Sequence, residues 1–362
     1  MSLTERVSEH LQVAAEGGAK LDRISKKNSR AMSLPANPLT LLDRFAVTDE
    51  QVENMKSTRI ICQGLFALTH MACLMGPAGS GKTAVATYAS GVMSAEGLSV
   101  WFFQEDASAG DLPALHEHAK QHGYKLLNST LAGASPEDML HVLRQLSQSD
   151  DADLSNVVII LDTLKKFTDL MSKGQSRLFF QLMRALTQRG GTVIMLGHTN
   201  KHRGPDGKLI FEGVGDVRND VDELIYIEST DKDPAGVVTL TLKPDKVRCV
   251  IRERTFQLNT ITRVLKPLDH VVDVQALKAA QEQRKEDAAL IEAVDLELKA
   301  GGMNHTDLVR RVREATGQSR KRVEDVIERY ISDLAGTPGA LWSETRGVNN
   351  ARHVAIMPGS RR

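Results

Sequence analysis

Aromatic residues make up only 4% of this chain, and cysteine is rarer still, with the three thiols Cys62, Cys73 and Cys249. No two of them form a Cys-x-x-Cys pair, which excludes a zinc ribbon or a disulfide framework and points to small side chains in a reducing compartment. Charge of neither sign is in excess, with 46 Lys+Arg against 46 Asp+Glu. No whole-chain field therefore draws the protein to nucleic acid, although a balanced total can contain local basic patches. No apolar run reaches the roughly 18 residues of a membrane helix. The N-terminus also lacks an apolar core behind a basic start, so a cytoplasmic protein without a membrane partner is expected. There is no internal repeat. What remains is a composition ordinary for soluble globular proteins, 41% hydrophobic and 25% charged over 362 residues, enough for about two domains.

Residues 1–40 are polar, with Gly17-Gly18 and a basic cluster from Arg23 to Arg30. They read as a flexible arm with a short helix over Leu3–Ala15. From about Ile60 the pattern alternates. Short apolar strands over 72–75, 100–103, 157–161 and 192–196 are separated by helices over 84–96, 111–121, 136–146 and 174–188. Three strands without intervening helices follow, over 224–228, 237–242 and 255–258. Alternating strands and helices predict an α/β fold with a mainly parallel sheet and right-handed crossovers. This core is expected over 41–270. A charged helix over 274–300 reads as a linker (271–300). Two helices over 306–315 and 319–334, then two short strands over 341–345 and 353–356, outline a winged helix at 301–362.

The strongest signal is Gly76-Pro-Ala-Gly-Ser-Gly-Lys-Thr83, which satisfies G-x-x-x-x-G-K-[ST] between a buried strand and a helix. In such a loop the backbone N–H groups of Ala78, Gly79, Ser80, Gly81 and Lys82 face phosphates at a helix N-terminus. The Lys82 ammonium holds the β- and γ-phosphates, and the Thr83 hydroxyl ligates Mg²⁺. ATP and Mg²⁺ are the expected ligands. Val157-Val-Ile-Ile-Leu-Asp162 supplies an acid at the end of a buried strand, expected beside the phosphate-loop strand and reaching the metal shell through water, with Thr163 next to it. Hydrolysis also needs a group that orients water. Glu105, just past the strand in Trp101-Phe-Phe-Gln-Glu-Asp106, is the preferred candidate. Asp106 is the alternative, with Glu105 then a helix cap.

The stretch Met195-Leu-Gly-His-Thr-Asn-Lys-His-Arg203 begins apolar and turns polar. His198 and His202 are four apart, which suggests a metal pair. However, His198 ends a predicted strand and His202 falls in the loop after it. No Cys or Glu is spaced to complete a tetrahedral site either, so this metal reading is set aside.

Taken in order, GPAGSGKT, WFFQED, VIILDTLKKF, IMLGHTNK and LKPDKVR resemble the RecA-like ATPases. Within them they are similar to the RepA-type hexameric replicative helicases of broad-host-range plasmids, with the DnaB-type helicases as more distant relatives. The likeness covers about Leu41–Pro267. It implies a RecA-like P-loop core, with Lys82, Thr83 and Asp162 in the Walker positions and Glu105 as the catalytic glutamate. His198 falls on the γ-phosphate sensor. Lys246 and Arg248 fall near the paired basic finger that reaches the neighbouring subunit's nucleotide. The glycine-rich turn expected after the finger is Cys249-Val250 here, and Arg252 or Lys243 are alternatives for its role. A finger acting across an interface implies a homo-oligomer, expected to be a hexamer. Gly213–Asp222 resembles the segment that follows the DNA-facing loop, which places Thr199–Glu212 on a channel loop. Lys201, His202, Arg203 and Lys208 are its candidate contacts to single-stranded DNA.

In the C-terminal part, Ser319, Arg320, Lys321 and Arg322 open the second predicted helix, where a recognition helix meets the major groove of duplex DNA. Arg346 and Arg352 could flank a wing near phosphates. The leading expectation is an ATP-driven DNA helicase or translocase in replication of a plasmid, phage or mobile element. A DNA-binding regulator or loader that does not unwind, and a RecA-type recombination ATPase, are the alternatives.

Overall fold

The computed structural model describes residues 58–149, 151–203, 209–211, 217–332, 339–347 and 350–357, together with parts of 40–52. The expected helix over 3–15, the basic arm, Lys208 and Gly213–Asp216 lie outside the described residues.

A short antiparallel ladder, Ile60–Ile61 with Phe66–Ala67, precedes the main elements. These are β1 (Met71–Gly76), α1 (Lys82–Ala95), β2 (Ser99–Gln104), α2 (Leu112–His122), β3 (Lys125–Leu127), α3 (Pro136–Gln148), β4 (Val157–Asp162) and α4 (Lys173–Gln188). Then come β5 (Thr192–Arg203), β6 (Leu209–Phe211), the single turn α5 (Val217–Asp220), β7 (Glu223–Ser229), β8 (Val237–Lys246), β9 (Arg254–Asn259) and β10 (Leu265–Pro267). The strands build a 10-stranded sheet in the order β10-β9-β8-β7-β1-β5-β4-β2-β3, with β6 paired to β5. From β3 to β7 the pairings are parallel. The β7–β8, β8–β9 and β9–β10 pairings are antiparallel, as tight connections allow. The expected α/β fold is present.

One expectation about strand order fails. The strand that ends in Asp162 does not lie beside β1; β5 is inserted between them. Apolar runs show that a strand is buried but not which strand is its neighbour, so this order was hidden.

Alternation with period 2 sends β-strand side chains to both faces, and each face has its own helical cover. Ala72, Leu74, Val158, Ile160, Ile194 and Leu196 pack with Val85, Ala89 and Met93 of α1. Cys73, Met75, Ile159, Leu161, Val193 and Met195 pack with Phe180, Met183 and Leu186 of α4. The helix starts follow local chemistry. Ser135 and Asp138 form a capping box before α3, with Pro136 in its first turn. Gly123, at φ +75°, closes α2.

The charged helix expected over 274–300 is two helices, α6 (Val274–Glu286) and α7 (Ala288–Leu298), meeting at Asp287. Two further helices, α8 (His305–Thr316) and α9 (Arg320–Tyr330), follow α7. A four-stranded sheet completes this part, with β11 (Met303–Asn304), β12 (Ile331–Ser332), β13 (Trp342–Arg346) and β14 (Arg352–Ile356) in the order β11-β14-β13-β12. Leu290, Val294 and Leu298 of α7 share a core with Leu308, Val312, Val323, Ile327 and Trp342. The second half of the expected linker is thus an integral packing helix. Asp287 is fully buried. It accepts hydrogen bonds from Arg322 at 2.6 Å, from Tyr330 Oη at 3.0 Å and from Arg329. No helix among the described residues is long and apolar enough to cross a membrane.

Candidate functional site

The phosphate loop runs from the C-terminal end of β1 into α1. Gly81 sits at φ +93°, where a side chain would also meet Leu240 at 2.8 Å, so glycine is required there. Lys82 is buried, and its Nζ donates to the carbonyls of Gly76 and Pro77, both at 2.8 Å. Burial lowers the Lys82 ammonium to about 8, against the upward pull of Asp162 and Asp106. His198 Nδ1 lies 3.5 Å from Lys82 Nζ, because β5 pairs in parallel with β1 and places His198 opposite Gly76. His198 and Lys82, 116 residues apart in sequence, are therefore neighbours.

Thr83 Oγ1 donates to Asp162 Oδ2 at 2.7 Å, despite the inserted strand. Gln104 Nε2 donates to the same oxygen at 2.7 Å. Burial raises the Asp162 carboxyl, and the bonds from Thr83 and Gln104 oppose that rise. Gln104 went unnoticed in the sequence as a site residue. It ends β2 opposite Asp162, and its Oε1 accepts the backbone N–H groups of Asp106 and Ala107 at 2.8 and 3.0 Å. It thereby fixes the turn that carries both candidate bases. The available signal was register: a polar residue ending one central strand beside an acid ending the next.

The two carboxylates after β2 are in different situations. Glu105 accepts Ser129 N at 2.6 Å on one oxygen and Ser129 Oγ at 2.7 Å on the other. Asp106 lines a cavity of about 360 Å³ with Thr83, Thr87, Gln104, Asp111 and Arg263. It is also close enough to act on the charges of Lys82 and Asp162. Thr163, expected near the water shell, is fully buried and donates to Leu196 O at 2.9 Å. It ties β4 to β5 instead.

The stretch from Thr199 to Arg203, expected in the channel loop, is strand. β5 continues through Arg203 and pairs with β6 in an antiparallel hairpin, Thr199 opposite Phe211 and Arg203 opposite Leu209. Lys201, His202 and Arg203 are thus strand residues. His198 lies inside the strand rather than at its end. The run of predominantly polar residues after Gly197 has no apolar alternation to reveal a strand, which is why its length was underestimated.

Lys246 and Arg248 lie at the opposite end of the sheet from the phosphate loop, since antiparallel β8 pairs Lys246 with Leu224 at the start of β7. Lys246 Nζ donates to the carbonyls of Arg218 and Asn219 at 2.7 and 3.2 Å. Arg248 pairs with the buried Asp222 at 2.7 Å, and Arg184 holds the other Asp222 oxygen at 2.6 Å. Burial would raise Asp222, but Arg184, the Met71 N–H and Arg248 outweigh it and hold the carboxyl low. Of the alternatives, Lys243 pairs with Glu228 at 2.7 Å, and Arg252 is exposed.

In the C-terminal part the expected groove-facing set is divided. Arg322 turns inward to Asp287 and Arg320 pairs with Glu324 at 2.8 Å, while Lys321 is exposed. Arg352 pairs with Glu328 at 2.6 Å and with Glu344.

These residues fit a nucleotide. Among the described residues, Ser80 Oγ is a buried hydroxyl without a hydrogen-bond partner at the centre of the loop, and the hydrogen-bond acceptors of Lys82 besides His198 are the loop's own carbonyls. The family model for the ATPase family associated with various cellular activities (AAA) matches residues 72–222, from β1 to the residue before β7. No curated protein matches this chain. The matched span contains the phosphate loop, both carboxylates after β2, Asp162 and His198. With the parallel sheet beneath it, the core fits a P-loop ATPase, a class whose chemistry is nucleotide binding and hydrolysis.

Proposed function

We propose that this protein is an ATP-dependent DNA helicase or translocase of the RepA type, working as a ring-shaped homo-oligomer. One observation carries the reading most directly. A single strand, β5, bears His198 beside the phosphate lysine and then continues into the β5–β6 hairpin with Lys201, His202 and Arg203. A shift of His198 with the nucleotide's state would move the hairpin with it, because a strand is stiff along its length.

Bound Mg²⁺ would offset phosphate charge, with Thr83 and Asp162 as the side chains that hold it. Lys82 takes the phosphate oxygens, exchanging its two carbonyl partners for them. Glu105 orients the attacking water, with Ser129 fixing the direction of its carboxylate. Arg248, on the far edge of its own sheet, serves the nucleotide of a neighbouring copy. Exposed Val247 and Val250 on either side of Arg248 and Cys249 support an interface there. Arg320, Lys321 and exposed Arg346 are the C-terminal candidates for phosphates of duplex DNA, in a winged-helix-like unit. The protein's proposed role is in replication of a plasmid, phage or mobile element.

The direct test is ATP turnover with and without single-stranded DNA. Stimulation that disappears when Lys201 and Arg203 are both changed to Ala supports the reading. Turnover indifferent to DNA would contradict it. The regulator reading is favoured by the C-terminal unit, and it predicts DNA-dependent ATP turnover without strand separation.

A further inference from the structure

We propose that His70, Glu223 and Cys249 form a binding site for a transition-metal dication of zinc type, at the edge of the sheet away from the phosphate loop. This site goes beyond the ATPase reading and does not depend on it. Three elements converge there. His70 is the residue before β1, Glu223 opens β7, and Cys249 lies in the connection between β8 and β9. β1 separates them from the phosphate loop by roughly 17 Å, at about 3.3 Å per residue.

The ligand atoms of the three side chains all lie within 4.8 Å of one another. His70 Nδ1 contacts Glu223 Oε1, and Cys249 Sγ lies 3.4 Å from the same oxygen. Tetrahedral zinc bonds of about 2.0 Å to N and O and 2.3 Å to S place neighbouring ligand atoms about 3.3–3.5 Å apart. The sulfur–oxygen distance already has that value. The His70–Glu223 hydrogen bond would open by about an ångström as the shared proton leaves.

Two further observations point to a cation. Glu223 is fully buried, and among the described residues its second oxygen has no hydrogen-bond partner. The neighbouring guanidinium, Arg248, is committed to Asp222. A buried carboxylate with an empty oxygen lacks its full compensation, and a dication supplies it. His70 is also prepared for metal on Nδ1. Its Nε2 lies 3.4 Å from Thr58 Oγ1, which can accept a hydrogen bond from Nε2–H and fix that tautomer. Nitrogen, sulfur and oxygen donors together favour zinc over the hard, all-oxygen cations. Binding would expel the thiol proton and any proton on His70 Nδ1 to solvent, leaving thiolate, neutral imidazole and carboxylate as ligands. A water or Glu223 Oε2 completes the fourth position. The consequence is mechanical: the metal would pin the connection that carries Arg248 to the starts of β1 and β7.

The test is a cobalt titration of the full chain after dialysis against a chelator. The expected result is equimolar binding with tetrahedral visible bands and a thiolate-to-cobalt charge-transfer band, reversed by zinc. Cys249→Ser should abolish the charge-transfer band. His70→Ala, which removes a direct ligand, should weaken binding by more than the roughly 100-fold that loss of an outer partner can cost. Lys82→Ala should retain the band, which separates this site from the nucleotide metal. In the unmutated chain, zinc should shield Cys249 from iodoacetamide, read by peptide mass spectrometry, so the result does not depend on how the variants fold. A cobalt spectrum without thiolate character, a band that survives Cys249→Ser, or alkylation of Cys249 unaffected by zinc would each overturn the proposal.

Discussion

Lys82 holds the most informative charge in the site. Its ammonium is lowered to about 8 because burial outweighs Asp162 and Asp106. The folded value lies below the ordinary lysine value of about 10.4, so the free protein sheds this proton as pH rises through 8, while an unfolded chain would keep it. Phosphate oxygens favour the charged form. Nucleotide binding at pH 8.5 should therefore take up protons, and affinity should fall as pH climbs past 8. Calorimetry in two buffers of different ionisation enthalpy measures the uptake; identical heats would show that Lys82 does not titrate there. The two carboxylates after β2 can be separated in the same way. Glu105→Gln should lower turnover by about 100-fold or more, the usual contribution of a general base, with nucleotide still bound. Asp106→Asn should cost less than about tenfold. A reversed order would transfer the water-orienting role to Asp106.

At the scale of elements, Asp287 is the clearest structural dependency. It joins α6 to α7 and draws Arg322, Arg329 and Tyr330 onto one buried carboxylate. Asp287→Ala would leave two guanidiniums facing a vacated polar site. A loss of about 3 kcal/mol in unfolding free energy is expected, the low end for a broken buried pair because both guanidiniums are about a third exposed. Thermal and urea unfolding measure it; an unchanged midpoint would mean the cluster is neutral. Elements also differ in how far sequence revealed them. The phosphate loop and Asp162 were legible because each depends on a few consecutive residues at a strand end, whereas the strand-end position expected for His198 was wrong because β5 runs on to Arg203. The insertion of β5 between β1 and β4 was not legible, because pairing partners leave no mark on a strand buried on both faces. Asp287 was equally hidden: a single acid in a charged helix looks solvated until α9 brings Arg322 and Arg329 against it. Gln104 and the His70–Glu223–Cys249 cluster depend likewise on contacts across long stretches of chain.

For the whole molecule, the proposed function makes one chain incomplete as an engine. The phosphate loop lies at one edge of the sheet, while Lys246 and Arg248 lie at the other, beside exposed Val247 and Val250. ATP turnover per chain should therefore rise with protein concentration. Arg248→Ala should lower it by at least about tenfold at fixed concentration while leaving nucleotide affinity within about twofold, since a group acting across an interface assists the transition state. Turnover independent of concentration and of Arg248 would confine catalysis to one chain. The measurement that bears most directly on the whole account is strand separation on forked DNA with the oligomeric state followed in parallel. A ring-sized assembly is expected to displace the strand with ATP and Mg²⁺, and Lys82→Ala is expected to abolish displacement. An assembly that hydrolyses ATP on the fork yet leaves the duplex intact would contradict the proposed function.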